Sequence, residues 1–85
     1  EEFVIVMPDT SLTECYNVAE RLRKSIEMEQ FHIPRLDKPL DITTSIGITA
    51  LDETITDINL LMKRADQALY CAKRDGRNRV AADAA

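Results

Sequence analysis

The sequence predicts an α+β fold, a layer of sheet backed by two helices, on three observations. Two stretches repeat apolar residues at steps of three and four, the period of a helix that buries one face. Short apolar or alternating runs, Phe3 to Met7 and Leu40 to Ala50, have the pattern of strands. The resulting order is strand, helix, strand pair, helix, strand, with no repeat, linker or low-complexity segment to divide it.

Phe3 to Met7 is a run of five apolar residues closed by Pro8-Asp9, which reads as a short buried strand and a turn. Ser11-Leu12-Thr13-Glu14 then has the form of a capping box, in which the Ser11 oxygen accepts from a first-turn N–H and Glu14 reaches back. Leu12, Cys15, Ala19, Leu22 and Ile26 fall on one stripe of a helix running to about Gln30. Glu20, Arg23, Lys24 and Glu27 on the other face read as a solvated surface. Phe31-His32-Ile33 is expected to be a short edge strand. Pro34 to Pro39 is expected to be a polar loop, its prolines unsuited to a central ladder.

From Leu40 to Ala50, Leu40, Ile42, Thr44, Ile46, Ile48 and Ala50 share one face of a strand, and Asp41, Thr43, Ser45, Gly47 and Thr49 share the other. Gly47, inside that strand, marks a place where a backbone or a ligand comes close. After a connection over Leu51 to Ile55, Thr56 or Asp57 can cap a second helix. Its buried stripe is Ile58, Leu61, Ala65, Ala68, Leu69 and Ala72, and Gly76 is its left-handed stop. Lys73 and Arg74 sit in the last turn, where cations suit the helix dipole. Arg79-Val80 starts a last strand, and residues 81–85 are expected to fray.

Eighty-five residues make one small domain or part of one, and a core of that size is marginal on burial alone. The chain opens inside an apparent strand without an initiator Met, so residue 1 is expected to be a cut end. A net charge of −4 argues against a nucleic-acid partner, although Lys63, Arg64, Lys73, Arg74, Arg77 and Arg79 are bunched late enough to build a local anion site. No apolar run approaches a membrane span and no signal-peptide pattern opens the chain, so neither membrane contact nor export is expected. Cys15 and Cys71 have no metal-ligand spacing and read as free thiols of a reducing, cytoplasmic compartment.

Two places could carry chemistry. Glu1 and Glu2, adjacent carboxylates at a strand mouth, suit a hard cation such as Mg²⁺, though neighbouring strand residues point opposite ways and only one would face a given ion; ordinary surface acids look the same. Lys73 and Arg77, four residues apart across a helix end, are phosphate-seeking groups, one a point charge and the other a planar fork; the helix dipole accounts for Lys73 equally well. His32 has no partner in sequence.

Three separated stretches resemble the diguanylate cyclase (GGDEF) family, in family order and over essentially the whole chain. Glu1-Glu2-Phe3 with Val-Ile-Val-Met-Pro-Asp-Thr is similar to the end of the Gly-Gly-Glu-Glu-Phe signature, and Thr43 to Ile48 to a central-strand motif. Most specific is Lys63-Arg64-Ala65-Asp66-Gln67-Ala68-Leu69-Tyr70-Cys71-Ala72-Lys73-Arg74-Asp75-Gly76-Arg77-Asn78, which resembles the family's C-terminal signature.

The resemblance implies that residues 1–85 are the C-terminal fragment of one GGDEF domain. The implied fold is a partial ferredoxin-like, palm-type one, an antiparallel-rich sheet backed by two helices and lacking its central first strand. It implies a cytoplasmic enzyme of bacterial signalling in which two domains face each other, each holding one GTP, and form cyclic di-GMP with release of two pyrophosphates. Mg²⁺ or Mn²⁺ would assist attack of the 3′-hydroxyl on the α-phosphate. By position, Glu1 is a catalytic metal ligand, Glu2 a catalytic residue near substrate, and Lys73 and Arg77 the phosphate contacts. Arg21 matches an arginine that in some members contacts inhibitory cyclic di-GMP; a solvated helix arginine would look the same. Phe3 is expected as a core anchor, with Asp66 and Tyr70 fixing the second helix. The fragment alone is expected to be inactive. The alternative is a catalytically dead GGDEF module that binds GTP or cyclic di-GMP as a regulatory domain.

With that central strand absent, the strands Phe3–Met7 and Ile42–Ile48 are expected to pair directly or with another chain.

Overall fold

The computed structural model describes residues 2–52, 55 and 57–83. Two 17-residue helices, α1 (Leu12–Met28) and α2 (Ile58–Arg74), are joined to four short strands. These are β1 (Gln30–Phe31), β2 (Leu40–Asp41), β3 (Ile46–Ile48) and β4 (Val80–Ala82). β1 and β2 pair antiparallel, Gln30 against Asp41 and Phe31 against Leu40. β3 and β4 pair in parallel, Ile46 with Val80 and Ile48 with Ala82. Both helices pack on this parallel pair, as the long crossover through α2 requires.

The helix ends follow from their residues. Ser11 caps α1, its Oγ accepting from Glu14 N at 3.1 Å. Asp57 caps α2, its Oδ1 accepting from Leu60 N at 2.8 Å; Thr56, the other candidate, lies outside the described residues. At the far end of α2 the Arg77 amide donates to Ala72 O at 2.9 Å and the Gly76 amide to Lys73 O at 3.4 Å. That pair of bonds is a Schellman stop, with Gly76 at φ 125° as its glycine.

Cys15, Ala19 and Ile48 form the centre of the core, with Met7, Leu12, Ile46 and Val80 packed around it. Ala68 and Ala72 bury the stripe of α2. Gly47 is the reason α2 can come so close. A Cβ at that position would lie 2.7 Å from Leu69 Cα and nearer still to Leu69 N and Ala65 O, so the close approach read from the sequence is that of the α2 backbone.

Several expectations are corrected. The run Phe3–Met7 joins no ladder, and Phe3, expected as a core anchor, is 86% exposed, with Val4, Ile5 and Val6 also exposed. A strand forms only where a neighbour supplies donors and acceptors, and none of the described strands pairs with this run. For the same reason the single strand expected over Leu40–Ala50 is two, paired at one end by β1 and at the other by β4. Direct pairing of Phe3–Met7 with Ile42–Ile48 is not made; β3 has β4 as its only strand neighbour among the described residues. α1 ends at Met28, ahead of Gln30, which starts β1. Leu22 and Ile58, placed on buried stripes by periodicity, are exposed. Ala81 and Ala82, expected to fray, belong to β4, and the Asp83 amide donates to Ile48 O at 2.9 Å.

Candidate functional site

α2 carries Asp66, Leu69, Tyr70 and Lys73 along one edge, at the three- and four-residue spacing that aligns side chains on a helix. Glu2 comes from the start of the chain to the same edge, and these five residues line one cleft. Glu2 Oε2 and Lys73 Nζ are 3.4 Å apart, in an ion pair that joins residues 71 positions apart. The pair is open to solvent, so it contributes little stability, about 0–1 kcal/mol. Its significance is placement, because it brings an acid of the N-terminal run and a base of the last turn of α2 to one point.

Arg77 stands just past the Schellman stop, in the left-handed region at φ 63°. Its side chain is exposed, with no ion-pair partner among the described residues. Lys73 and Arg77 therefore flank one helix end, a lysine with a weakly held partner and an arginine with five donors uncommitted, an arrangement suited to a multiply charged phosphate. Asp66 and Tyr70 share one face as expected. They do not fix α2: both are exposed and neither side chain hydrogen-bonds within the described residues. Arg21 is exposed on α1 and outside the cleft.

Glu1 lies outside the described residues. Among those described, no group of three or more His, Cys, Asp or Glu side chains could hold a metal. Glu2 and Asp66 are two carboxylates on one cleft, one of them already paired with Lys73. These residues do not by themselves make a cation site.

Periodicity hid a second polar cluster. Arg23, placed on the solvated face of α1, has a side chain only 12% exposed. Its Nε donates to both Glu20 carboxylate oxygens at 3.2 Å, its Nη2 pairs with Glu20 Oε1, and its Nη1 donates to Asn78 Oδ1 at 2.9 Å. Asn78 Nδ2 donates to Glu27, and the Asn78 amide donates to Ser45 Oγ at 3.1 Å. The Arg23 hydrogen bond is the main cause that holds the Glu20 carboxyl below its ordinary range. A helical wheel cannot show this cluster, because Asn78 is 55 residues from Arg23. The only sequence signal was Asn78 itself, in the C-terminal signature.

At the opposite end of the parallel pair, Asp83 Oδ2 accepts from Thr49 Oγ1 at 3.2 Å and lies 3.6 Å from Arg64 Nη1. This ties the end of β4 to α2 and to the residue after β3.

Comparisons with known proteins address the family and the fold. Residues 1–79 match the family described as diguanylate cyclase, GGDEF domain. The response regulator PleD of Caulobacter vibrioides is 40% identical over 85 residues, 100% of this chain and 19% of that protein. Diguanylate cyclase DgcP of Pseudomonas aeruginosa is 46% identical over 80 residues, 94% of this chain and 12% of that protein. The chain thus spans a fifth or less of the length of these two relatives. The GGDEF domain of DgcB from Caulobacter crescentus, solved in complex with c-di-GMP, superposes with a TM-score of 0.84 at 29% identity, covering 93% of this chain and 45% of that one. The active GGEEF domain of a diguanylate cyclase from Vibrio cholerae superposes with a TM-score of 0.74 at 28% identity, covering 93% and 48%. With sequence and fold matched across nearly its whole length, this chain belongs to the diguanylate cyclase GGDEF-domain family.

Proposed function

We propose that this chain is the phosphate-holding part of a diguanylate cyclase, and that the complete protein condenses two GTP into cyclic di-GMP and two pyrophosphates. Catalysis would take place between two such domains, each presenting one GTP. The observation that carries the reading is the meeting of Glu2 and Lys73 at one cleft, beside the helix end that bears Arg77. Lys73 offers a mobile point charge and Arg77 a planar fork, and together they orient a triphosphate so that its α-phosphate is presented for in-line attack. Glu2 holds Lys73 near the cleft until a phosphate displaces it, the exposed ion pair being weak enough to exchange.

The proposed cofactor is Mg²⁺ or Mn²⁺, with Glu1 as a ligand and the others from beyond the described residues; when bound it would supply charge stabilisation at the transferring phosphate. Among the described residues no group of three or more His, Cys, Asp or Glu side chains could hold a metal, and on this reading the chain alone is proposed to be inactive. Arg21, on the outer face of α1, is the proposed contact for inhibitory cyclic di-GMP bound away from the cleft.

Lys73→Ala in the complete protein tests the reading. It removes one charge-assisted phosphate contact, so KM for GTP is expected to rise about tenfold or more. Unchanged kcat and KM would contradict the assignment.

A further inference from the structure

We propose that Asn78, clamped by Arg23, Glu27 and Ser45, is a positioning residue that holds Arg77 in place for its phosphate contact; this rests on the phosphate role assigned to Arg77 above. Three observations support it. Arg77 and Asn78 both occupy the left-handed region, at φ 63° and 46°. Asparagine tolerates that region, but an arginine persists there where its surroundings hold it, and such outliers gather at functional sites. The surroundings do hold them. On the upstream side, the Arg77 amide is fixed to Ala72 O at 2.9 Å by the helix stop. On the downstream side, Asn78 uses its amide, its side-chain oxygen and its side-chain nitrogen at once, on Ser45 Oγ, Arg23 and Glu27. The Arg77 carbonyl accepts from Arg79 Nε at 3.1 Å, so the backbone of Arg77 is fixed on both sides while its side chain remains uncommitted.

The clamp also reaches across the fold. Arg23 and Glu27 belong to α1, and Ser45 precedes β3. The Arg77 turn is therefore referred to α1 and to the approach to β3 as well as to α2. A phosphate site gains from such fixing because the guanidinium does not have to be ordered when the ligand arrives.

The test uses the complete natural protein that contains this chain. Binding of inorganic tripolyphosphate is titrated in buffer without divalent cation, with thermal unfolding recorded in parallel. Asn78→Gly keeps the left-handed backbone accessible and removes the side-chain clamp, with some added backbone freedom. It is expected to weaken tripolyphosphate binding about three- to tenfold, a fraction of the effect of Arg77→Ala. In the Arg77→Ala background Asn78→Gly is expected to cost nothing further, whereas in the Lys73→Ala background it keeps its cost. Ser45→Ala, which removes only the acceptor of the Asn78 amide, is expected to give a smaller loss of the same kind and serves if Asn78→Gly does not fold. Asn78→Gly and Ser45→Ala that leave binding unchanged while Arg77→Ala weakens it would overturn the positioning role alone. A cost of Asn78→Gly that persists without Arg77 would make the clamp merely structural and would also overturn it. Arg77→Ala without effect would remove the phosphate reading of Arg77, and this inference with it.

Discussion

Gly47 and Glu20 show how single residues set the limits of this fold. A methyl at Gly47 would collide with backbone atoms of α2 rather than with a side-chain end that can move aside. Gly47→Ala is therefore expected to destabilise the chain at or beyond the upper end of the about 1–3 kcal/mol typical of overpacking, read from the urea midpoint. Wild-type stability in that variant would mean that α2 does not sit on β3. Glu20 makes the acid response predictable in sign. Its folded pKa lies below the ordinary 4.5, chiefly through the Arg23 hydrogen bond, so its contribution is present above pH 4.5 and is lost as pH falls through the depressed folded value. The stability gap between wild type and Glu20→Gln should thus be constant near neutrality and shrink below pH 4.5. A gap indifferent to pH in chemical unfolding at each pH would remove the ion pair from the account. At this scale the sequence was legible where a residue type speaks alone, as Gly47 does by lacking a side chain. It put Arg23 on a solvated face, because its burial depends on a partner, Asn78, brought near by the fold.

The helices are the elements whose limits could be read most directly, because caps are local. Ser11 and Asp57 both accept the amide three residues ahead, and Gly76 closes α2 where expected. Asp57→Ala should cost about 0.5–2 kcal/mol, measured by thermal or urea unfolding, and Asp57→Asn considerably less, since the amide oxygen can still accept. Equal losses from the two substitutions would argue against a capping role. The strands were less legible, for a physical reason. Alternation from Leu40 to Ala50 reports which face each residue takes, but not whether a neighbour exists to pair with it. β2 and β3 formed only where β1 and β4 lie alongside, and Phe3–Met7, the most strand-like run by composition, found no neighbour.

That run sets the behaviour of the whole molecule. Phe3, Val4, Ile5 and Val6 are exposed in succession, without charge, glycine or proline to discourage pairing, so the isolated chain is expected to associate with further copies of itself as concentration rises. Ile5→Lys should lower that association in sedimentation velocity, and a wild-type chain that stays monomeric at high concentration would contradict it. Glu2, Asp66, Leu69, Tyr70 and Lys73 line one cleft, and among the described residues no group of three or more His, Cys, Asp or Glu side chains could hold a metal there. Lys73 and Arg77 were legible from sequence as a pair across a helix end. The Glu2 contact was not, since no spacing rule joins positions 71 residues apart. The most direct test is cyclic di-GMP formation from GTP and Mg²⁺, followed by chromatography for the complete protein and for residues 1–85 side by side. Cyclic di-GMP with two pyrophosphates per molecule from the complete protein, and none from the isolated chain, is the predicted result. Product from the isolated chain, or no product from a folded complete protein that still binds GTP, would contradict it.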